Sequence, residues 1–268
     1  MIVIKIGGGE GINHQAVFQN LARLIAAGTR AIVVHGANHE MKELCKRLDL
    51  PQRMITSVSG YESRYTDAAT MDAFMMAYCG KVNTSLTALA RACGVNAIGM
   101  SGVDGGLLSA TRKKAIRAVE DGKTILIRDD YSGKIETVND GLLRTLTDAG
   151  FVPLISPPAL SEAFEPVNVD GDRAAAEMAA AVGAKRLIIL SNVPGLLRDV
   201  ADESSLIRLI ERSNVEAFEE FAKGRMRKKV MGAVEAIDKG VDEVVFADAR
   251  IASPIDAALN GQGTVIRP

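Results

Sequence analysis

The chain has 268 residues, 47% of them hydrophobic and 24% charged, enough for one large domain or two lobes sharing a sheet, with no covalent staple needed. Lys plus Arg total 32 and Asp plus Glu 33, for a formal net charge of −1, which argues against a global nucleic-acid or anionic-membrane binder. Trp is absent and aromatics are 4%, so base-stacking platforms are excluded.

The N-terminus, MIVIKIGGG, is broken by Lys5 and by glycines and holds no signal-peptide core. No run approaches the roughly 18 apolar residues of a membrane span, and a cytoplasmic location is expected. Cys45, Cys79 and Cys93 form an odd set without CxxC spacing. They read as buried free thiols in a reducing compartment.

Short β-branched runs over 2–6, 31–34, 97–100, 124–127, 152–155, 187–190 and 243–246 predict buried strands. Segments at 14–27, 38–48, 65–92, 139–149, 172–183 and 227–239 carry the helical period. That alternation predicts an α/β fold, a mostly parallel central sheet sandwiched by helices, with ligands at the carboxyl ends of the strands. Residues 104–137 read as an antiparallel flap. Residues 156–171, with Pro157 and Pro158, read as a crossover between an N-lobe (1–163) and a C-lobe (164–268). Met71, Phe74, Met75, Tyr78, Val82, Leu86 and Leu89 form one stripe on the 65–92 helix, read as an intrachain core or a dimer face.

No GxxxxGK[ST], GxGxxG, HExxH or GxSxG motif is present. His35 and His39 are four apart, but Gly36 between them argues against a helical zinc pair. Two glycine-bearing loops follow adjacent strands. Lys5 stands at the mouth of Gly7-Gly8-Gly9, and the second strand ends in His35-Gly36-Ala37-Asn38. Backbone N–H groups and helix N-termini there suit a phosphoryl group.

In the other half, Asn168-Val-Asp170-Gly-Asp172 opens an alanine-rich helix, with Asp172 as an N-cap or as a carboxylate that holds lysine ammonium groups. Lys223-Gly-Arg225-Met-Arg227-Lys228-Lys229 puts five cations where a helix macrodipole opposes them, a conflict that a polyphosphate offsets. The Ser191-Asn192-Val193-Pro194-Gly195-Leu196 loop follows a strand, and Arg64 precedes the long helix, placed to grip a carboxylate.

These segments, in this order, resemble the amino acid kinase family over the whole chain, and acetylglutamate kinase-type members in particular. The runs Gly99-Met-Ser101-Gly102-Val-Asp104-Gly105 and Asp130-Tyr131-Ser-Gly133 resemble the branch acting in lysine synthesis. That branch phosphorylates 2-aminoadipate carried on a small acidic carrier protein of the LysW type, and some members also take the glutamate adduct for arginine synthesis. The resemblance implies that Lys5 and Lys229 stabilise the transferring phosphoryl group while Asp172 orients both. It assigns Gly8, Gly36 and Ala37 to the transfer site, Arg64 and Asn168 to the α-carboxylate end of the substrate, and Ser191, Asn192, Val193, Gly195 and Leu196 to the nucleotide. It further implies ATP, Mg²⁺ bound through phosphates, no protein metal site and a homodimer without arginine feedback.

Two departures stand out. Acetylglutamate kinases usually carry three glycines where this chain has Gly36-Ala37-Asn38, and an aspartate where it has Asn192. The first rival reading is a free N-acetylglutamate kinase. The second is a non-catalytic amino-acid or nucleotide sensor, which has no need of Lys5, Lys229 and Asp172 together. The run Arg112, Lys113, Lys114 and Arg117 offers a docking face for an acidic carrier.

Overall fold

The computed structural model describes residues 1–58, 60, 62–120, 122–222 and 224–268, and of Arg225 the backbone alone. Lys223 of the basic segment lies outside the described residues. The first half runs β1 (Ile2–Ile6), α1 (His14–Ala26), β2 (Ala31–His35), α2 (Asn38–Arg47), β3 (Met54–Ser57), β4 (Glu62–Arg64), α3 (Ala68–Met75), a π-helical segment (Met76–Asn83), α4 (Thr84–Ala92) and β5 (Ala97–Ser101). Next come β6 (Leu108–Arg112), β7 (Ile116–Glu120), β8 (Lys123–Ile127), β9 (Gly133–Val138), α5 (Asp140–Asp148), β10 (Val152–Ser156), β11 (Ala159–Ser161) and β12 (Pro166–Val167). The chain closes with α6 (Gly171–Val182), β13 (Arg186–Ser191), β14 (Leu209–Glu211), α7 (Arg225–Asp238), β15 (Glu243–Asp248), α8 (Pro254–Leu259) and β16 (Thr264–Arg267).

One sheet of order β14-β16-β15-β13-β1-β2-β10-β5 runs through both halves. Its strands from β15 to β5 are parallel, and β16 joins β15 antiparallel. Side chains alternate across it with period two. Ile2, Ile4 and Ile6 pack with Phe18 and Leu21 of α1, Leu86 of α4 and Ile255 of α8. Val3, Ile32, Val34 and Ile155 face Ala174, Ala175 and Met178 of α6, Leu143 of α5 and Ala233 of α7. Lys5 shares the Val3 face and is therefore directed toward α6.

The sequence reading needs correction in three places. The 124–127 strand is β8, which lies in a peripheral sheet of order β4-β3-β7-β8 and not in the central one. Only two residues separate β7 from β8, so antiparallel pairing is the one available connection. The 104–137 flap splits accordingly: β6 and β9 pair with β11 and β12 in a second small sheet, which also absorbs much of the 156–171 crossover. The 65–92 helix starts at Ala68, where the Asp67 carboxylate caps the Thr70 N–H at 2.8 Å.

Met71, Phe74, Tyr78 and Leu86 of this stripe are buried inside the chain, while Met75, Val82 and Leu89 are half-buried against the same clusters. Cys45 is buried, whereas Cys79 and Cys93 are only partly so, the latter as the C-cap of α4.

The loop after β13 is locked from β16, two strands away in the central sheet. Gly195 has φ +159°, and a Cβ there would lie 2.5 Å from Thr264 Oγ1. The fully buried Thr264 hydroxyl accepts the Leu196 N–H at 2.8 Å and donates to the Ile207 carbonyl at 2.6 Å. Thr264→Val keeps the shape and orphans both backbone groups, each worth about 1–3 kcal/mol. We expect a loss of about 2–4 kcal/mol by chemical denaturation; an unchanged midpoint would show that the hydroxyl carries no such role.

Candidate active site

β13, β1 and β2 lie side by side and parallel, so their following loops meet at one edge of the sheet. Gly7 N–H donates to the Leu190 carbonyl and Gly36 N–H to the Ile6 carbonyl, both within 2.9 Å, while His39 N–H donates to the Gly8 carbonyl at 2.8 Å. A Cβ on Gly8 would stand 2.2 Å from Ala37 N, and one on Gly36 would stand 2.7 Å from Gly8 N. The glycines thus serve first to let the two loops touch backbone to backbone. α2 starts there with Ala37 at its N-cap and no side-chain cap, and of its first turn the His39 N–H is already taken by Gly8, so the helix end offers an anion only the remaining N–H groups.

Lys5 Nζ lies 2.7 Å from Asp172 Oδ1, with both side chains about nine-tenths buried. Burial disfavours the Lys5 charge, but the Asp172 carboxylate, helped by Asp170, outweighs it and raises the pKa above the ordinary lysine value. Burial likewise opposes the Asp172 charge, and the fields of Lys5 and Lys229 overcome it and hold the carboxyl below its usual range. Both groups are therefore charged at neutral pH, and Lys229 approaches the same carboxylate from α7. The N-cap of α6 is Asp170, which accepts from Asp172 N and Arg173 N at 2.9 and 3.1 Å. Asp172 sits in the first turn, so the capping alternative for it falls.

α7 begins at Gly224 with no side-chain cap and no acid in its first turn, so the conflict between its cations and the macrodipole is real. Lys228 Nζ donates to the Glu62 carbonyl and ties α7 to β4. A cleft of about 600 Å³ opens between Thr56, Gly60 and Glu62 on one wall and Glu219, Glu220, Ala222, Gly224 and Arg227 on the other. Its walls lie two residues from Arg64 and two from Lys229.

Arg64 Nε is buried and makes no hydrogen bond among the described residues, as suits a donor for a carboxylate. The segment after it is held rigidly. Asp130, 1% exposed, accepts the Thr66 N–H at 2.8 Å and the Ser132 N–H at 2.7 Å. Asn168 Nδ2 donates to Thr66 Oγ1 at 3.0 Å, Asn168 N–H to the Tyr131 carbonyl and Tyr131 N–H to the Thr66 carbonyl. Arg64 and Asn168, 104 positions apart, are thereby brought into one cluster. The sequence offered no sign of Asp130 as its anchor beyond its place in a motif.

Of the five residues expected at the nucleotide, Asn192 is exposed and donates to the Glu10 carbonyl at 3.4 Å. Val193 is half-buried, Ser191 and Gly195 are buried, and the Leu196 side chain lies in the core with its N–H taken by Thr264. Of the five, Asn192 and Val193 thus present surface to a ligand. His35 is fully buried with Nε2 3.0 Å from Asn83 Nδ2 and Nδ1 3.3 Å from the Gly36 carbonyl, so both ring nitrogens are engaged.

The family model for the amino acid kinase family matches residues 1–248. The chain is 50% identical to a [LysW]-aminoadipate kinase of Deinococcus radiodurans, over 99% of this chain and 91% of that one. It is 48% identical to a [LysW]-aminoadipate kinase of Thermus thermophilus over the full length of both. An acetylglutamate kinase of Methanopyrus kandleri, also matched over both full lengths, is 36% identical. Among solved structures, N-acetylglutamate synthase from Neisseria gonorrhoeae superposes with a TM-score of 0.79 at 24% identity, over all of this chain and 59% of that one, a likeness of fold. By sequence and by fold, the chain belongs to the amino acid kinase family.

Proposed function

We propose that this protein transfers the terminal phosphoryl group of ATP to the side-chain carboxylate of 2-aminoadipate carried on a LysW-type protein, giving an acyl phosphate in lysine synthesis. The observation that carries the reading is the convergence of Lys5 and Lys229 on the buried Asp172, beside the touching Gly8 and Gly36 loops. The relatives named as aminoadipate kinases are 48–50% identical, against 36% for the acetylglutamate kinase. A sensor has no use for two cations braced on one buried carboxylate.

An acceptor carboxylate is ionised at pH 7 and needs no general base. The chain's task is alignment and neutralisation of charge on the oxygens in transit. Lys5 is fixed for this by Asp172 and is fully protonated. Arg64 and Asn168, locked together through Thr66 and Asp130, hold the far end of the acceptor. Mg²⁺ would be held through the nucleotide's phosphates, where it would neutralise part of their charge. Family resemblance is also the ground on which we propose a homodimer in the cytoplasm. No described helix is long and apolar enough to cross a membrane.

The basic run expected to dock the carrier is divided between two places in the structure. Arg117 lies on β7, opposite Leu126 in the β3–β4 sheet. Arg112, Lys113 and Lys114 instead share a cleft of about 310 Å³ with Arg128, flanked by Glu162 and Glu165. Arg112 also donates to the Asp130 carbonyl at 3.1 Å and lies over the Tyr131 ring, so the cleft backs onto the loop that holds Thr66 and Asn168. We propose this cleft as the seat of the acidic carrier.

With ATP, Mg²⁺ and hydroxylamine as trap, we expect hydroxamate from carrier-linked aminoadipate, and a loss of about a hundredfold or more in kcat for Lys5→Ala or Lys229→Ala. Turnover on free N-acetylglutamate alone, or near-normal turnover in either variant, would overturn the assignment. Lys113→Glu combined with Lys114→Glu is expected to raise KM for the carrier-linked acceptor about tenfold and to leave KM for ATP in place. An unchanged acceptor KM would remove the cleft from the account.

A further inference from the structure

Met76–Asn83 is π-helical. Hydrogen bonding from i to i+5 brings residues five apart onto one face of the helix, whereas α-helical spacing sets them about 140° apart around the axis. Tyr78 and Asn83 are five apart, both are buried, and both reach the loop that follows β2. Asn83 Nδ2 lies 3.0 Å from His35 Nε2 and 2.9 Å from the Leu154 carbonyl. The Tyr78 hydroxyl donates to Asn38 Oδ1 at 3.0 Å, its ring stacked on Phe74 with centroids 3.9 Å apart. Gly99 gives Asn83 its space, because a Cβ there would stand 2.4 Å from Asn83 Oδ1.

The two grips fall on the first and last residues of His35-Gly36-Ala37-Asn38, the run whose middle presses against Gly8. We propose that Tyr78 and Asn83, aligned by the π segment, are positioning residues for phosphoryl transfer, a two-point clamp that fixes this loop against Gly8 and Lys5. The proposal rests on the kinase reading above. It also accounts for the departure at Ala37-Asn38: a third glycine has no side chain with which to take the Tyr78 hydrogen bond. Two further features agree with it. Burial, above all, lowers the His35 pKa to about 4, so the ring is neutral, as an acceptor at Nε2 must be. Burial raises the Tyr78 pKa against the opposing fields of Arg64 and Lys5, so the hydroxyl keeps the proton that it donates to Asn38.

Tyr78→Phe keeps the ring and removes only the hydroxyl. It should lower kcat about tenfold or more, leave KM for ATP within about twofold and leave the melting temperature near that of the wild type. Deleting the exposed Gly80 returns the segment to α spacing and should abolish turnover in a folded chain. Nitrogen-15 NMR reads the clamp without turnover, since the chain has 3 His. His35 should be neutral near pH 6, protonated on Nδ1 and with Nε2 accepting a hydrogen bond in the wild type. The deletion should lose that bond. Wild-type kinetics in Tyr78→Phe, a fall in melting temperature without a kinetic change, or an Nε2 free of any hydrogen bond in the wild type would overturn the clamp. Wild-type silence on every acceptor, with the ring as expected, would strike the kinase reading and leave the clamp as geometry.

Discussion

The structure depends on one buried ion pair. Lys5 is the only charged residue in β1, and its position in the alternation turns it toward α6, where Asp172 meets it in the first turn. Taking two such charges out of water costs several kcal/mol per ion, and only close contact together with further charge offsets that. Lys229 supplies the further charge, from a helix whose own N-terminus opposes it. The pair joins the strand at the centre of the sheet to the first helix of the C-terminal half, and the loops after β1, β2 and β13 are arranged around it. An interior assembled from apolar residues has no need of this pair. A site that must meet a phosphoryl group with fixed cations does.

Everything else that bears on the site acts by fixing backbone. Gly8 and Gly36 allow the first two loops to touch, Thr264 anchors the third from β16, and Asp130 ties the Arg64 segment to Asn168. These are small groups making short hydrogen bonds in buried surroundings, where an unmatched donor or acceptor is expensive. Such a frame holds charges still while a substrate of considerable charge passes, which is the requirement for electrostatic preorganisation.

Much of this was legible from the chain alone, for identifiable reasons. Of the six central parallel strands, β1, β2, β10, β13 and β15 announced themselves because both their faces are buried and their runs are almost wholly apolar, while β5, with Ile98 and Met100 half-buried, was marked only by its short apolar run. Lys5 was legible as a charge inside such a run, and Asp172 as a carboxylate at the start of an alanine-rich helix. The capping role belonged to Asp170 because the N-cap precedes Gly171, and nothing in the spacing of the two aspartates decides between them. The short strands β3, β4, β11, β12, β14 and β16 escaped detection because they are 2–4 residues long and take their order from partners far away in sequence. Tyr78 and Asn83 were unreadable as a pair, since an α-helical period puts them on different faces and only the π segment brings them together. Asp130 was hidden because its partners, Thr66 and Ser132, contribute backbone N–H groups that no sequence pattern marks.

The most direct test of the central claim is the stability of wild type and Asp172→Asn, measured by chemical denaturation from about pH 3 to pH 9. Asp172 has its pKa depressed in the folded chain, so its stabilisation is complete above the unfolded value and is lost as the pH falls below about 4. The account predicts a variant weaker by about 3–5 kcal/mol near neutrality, with the gap closing on acidification. Equal stabilities at neutral pH, or a gap that ignores acid, would contradict it.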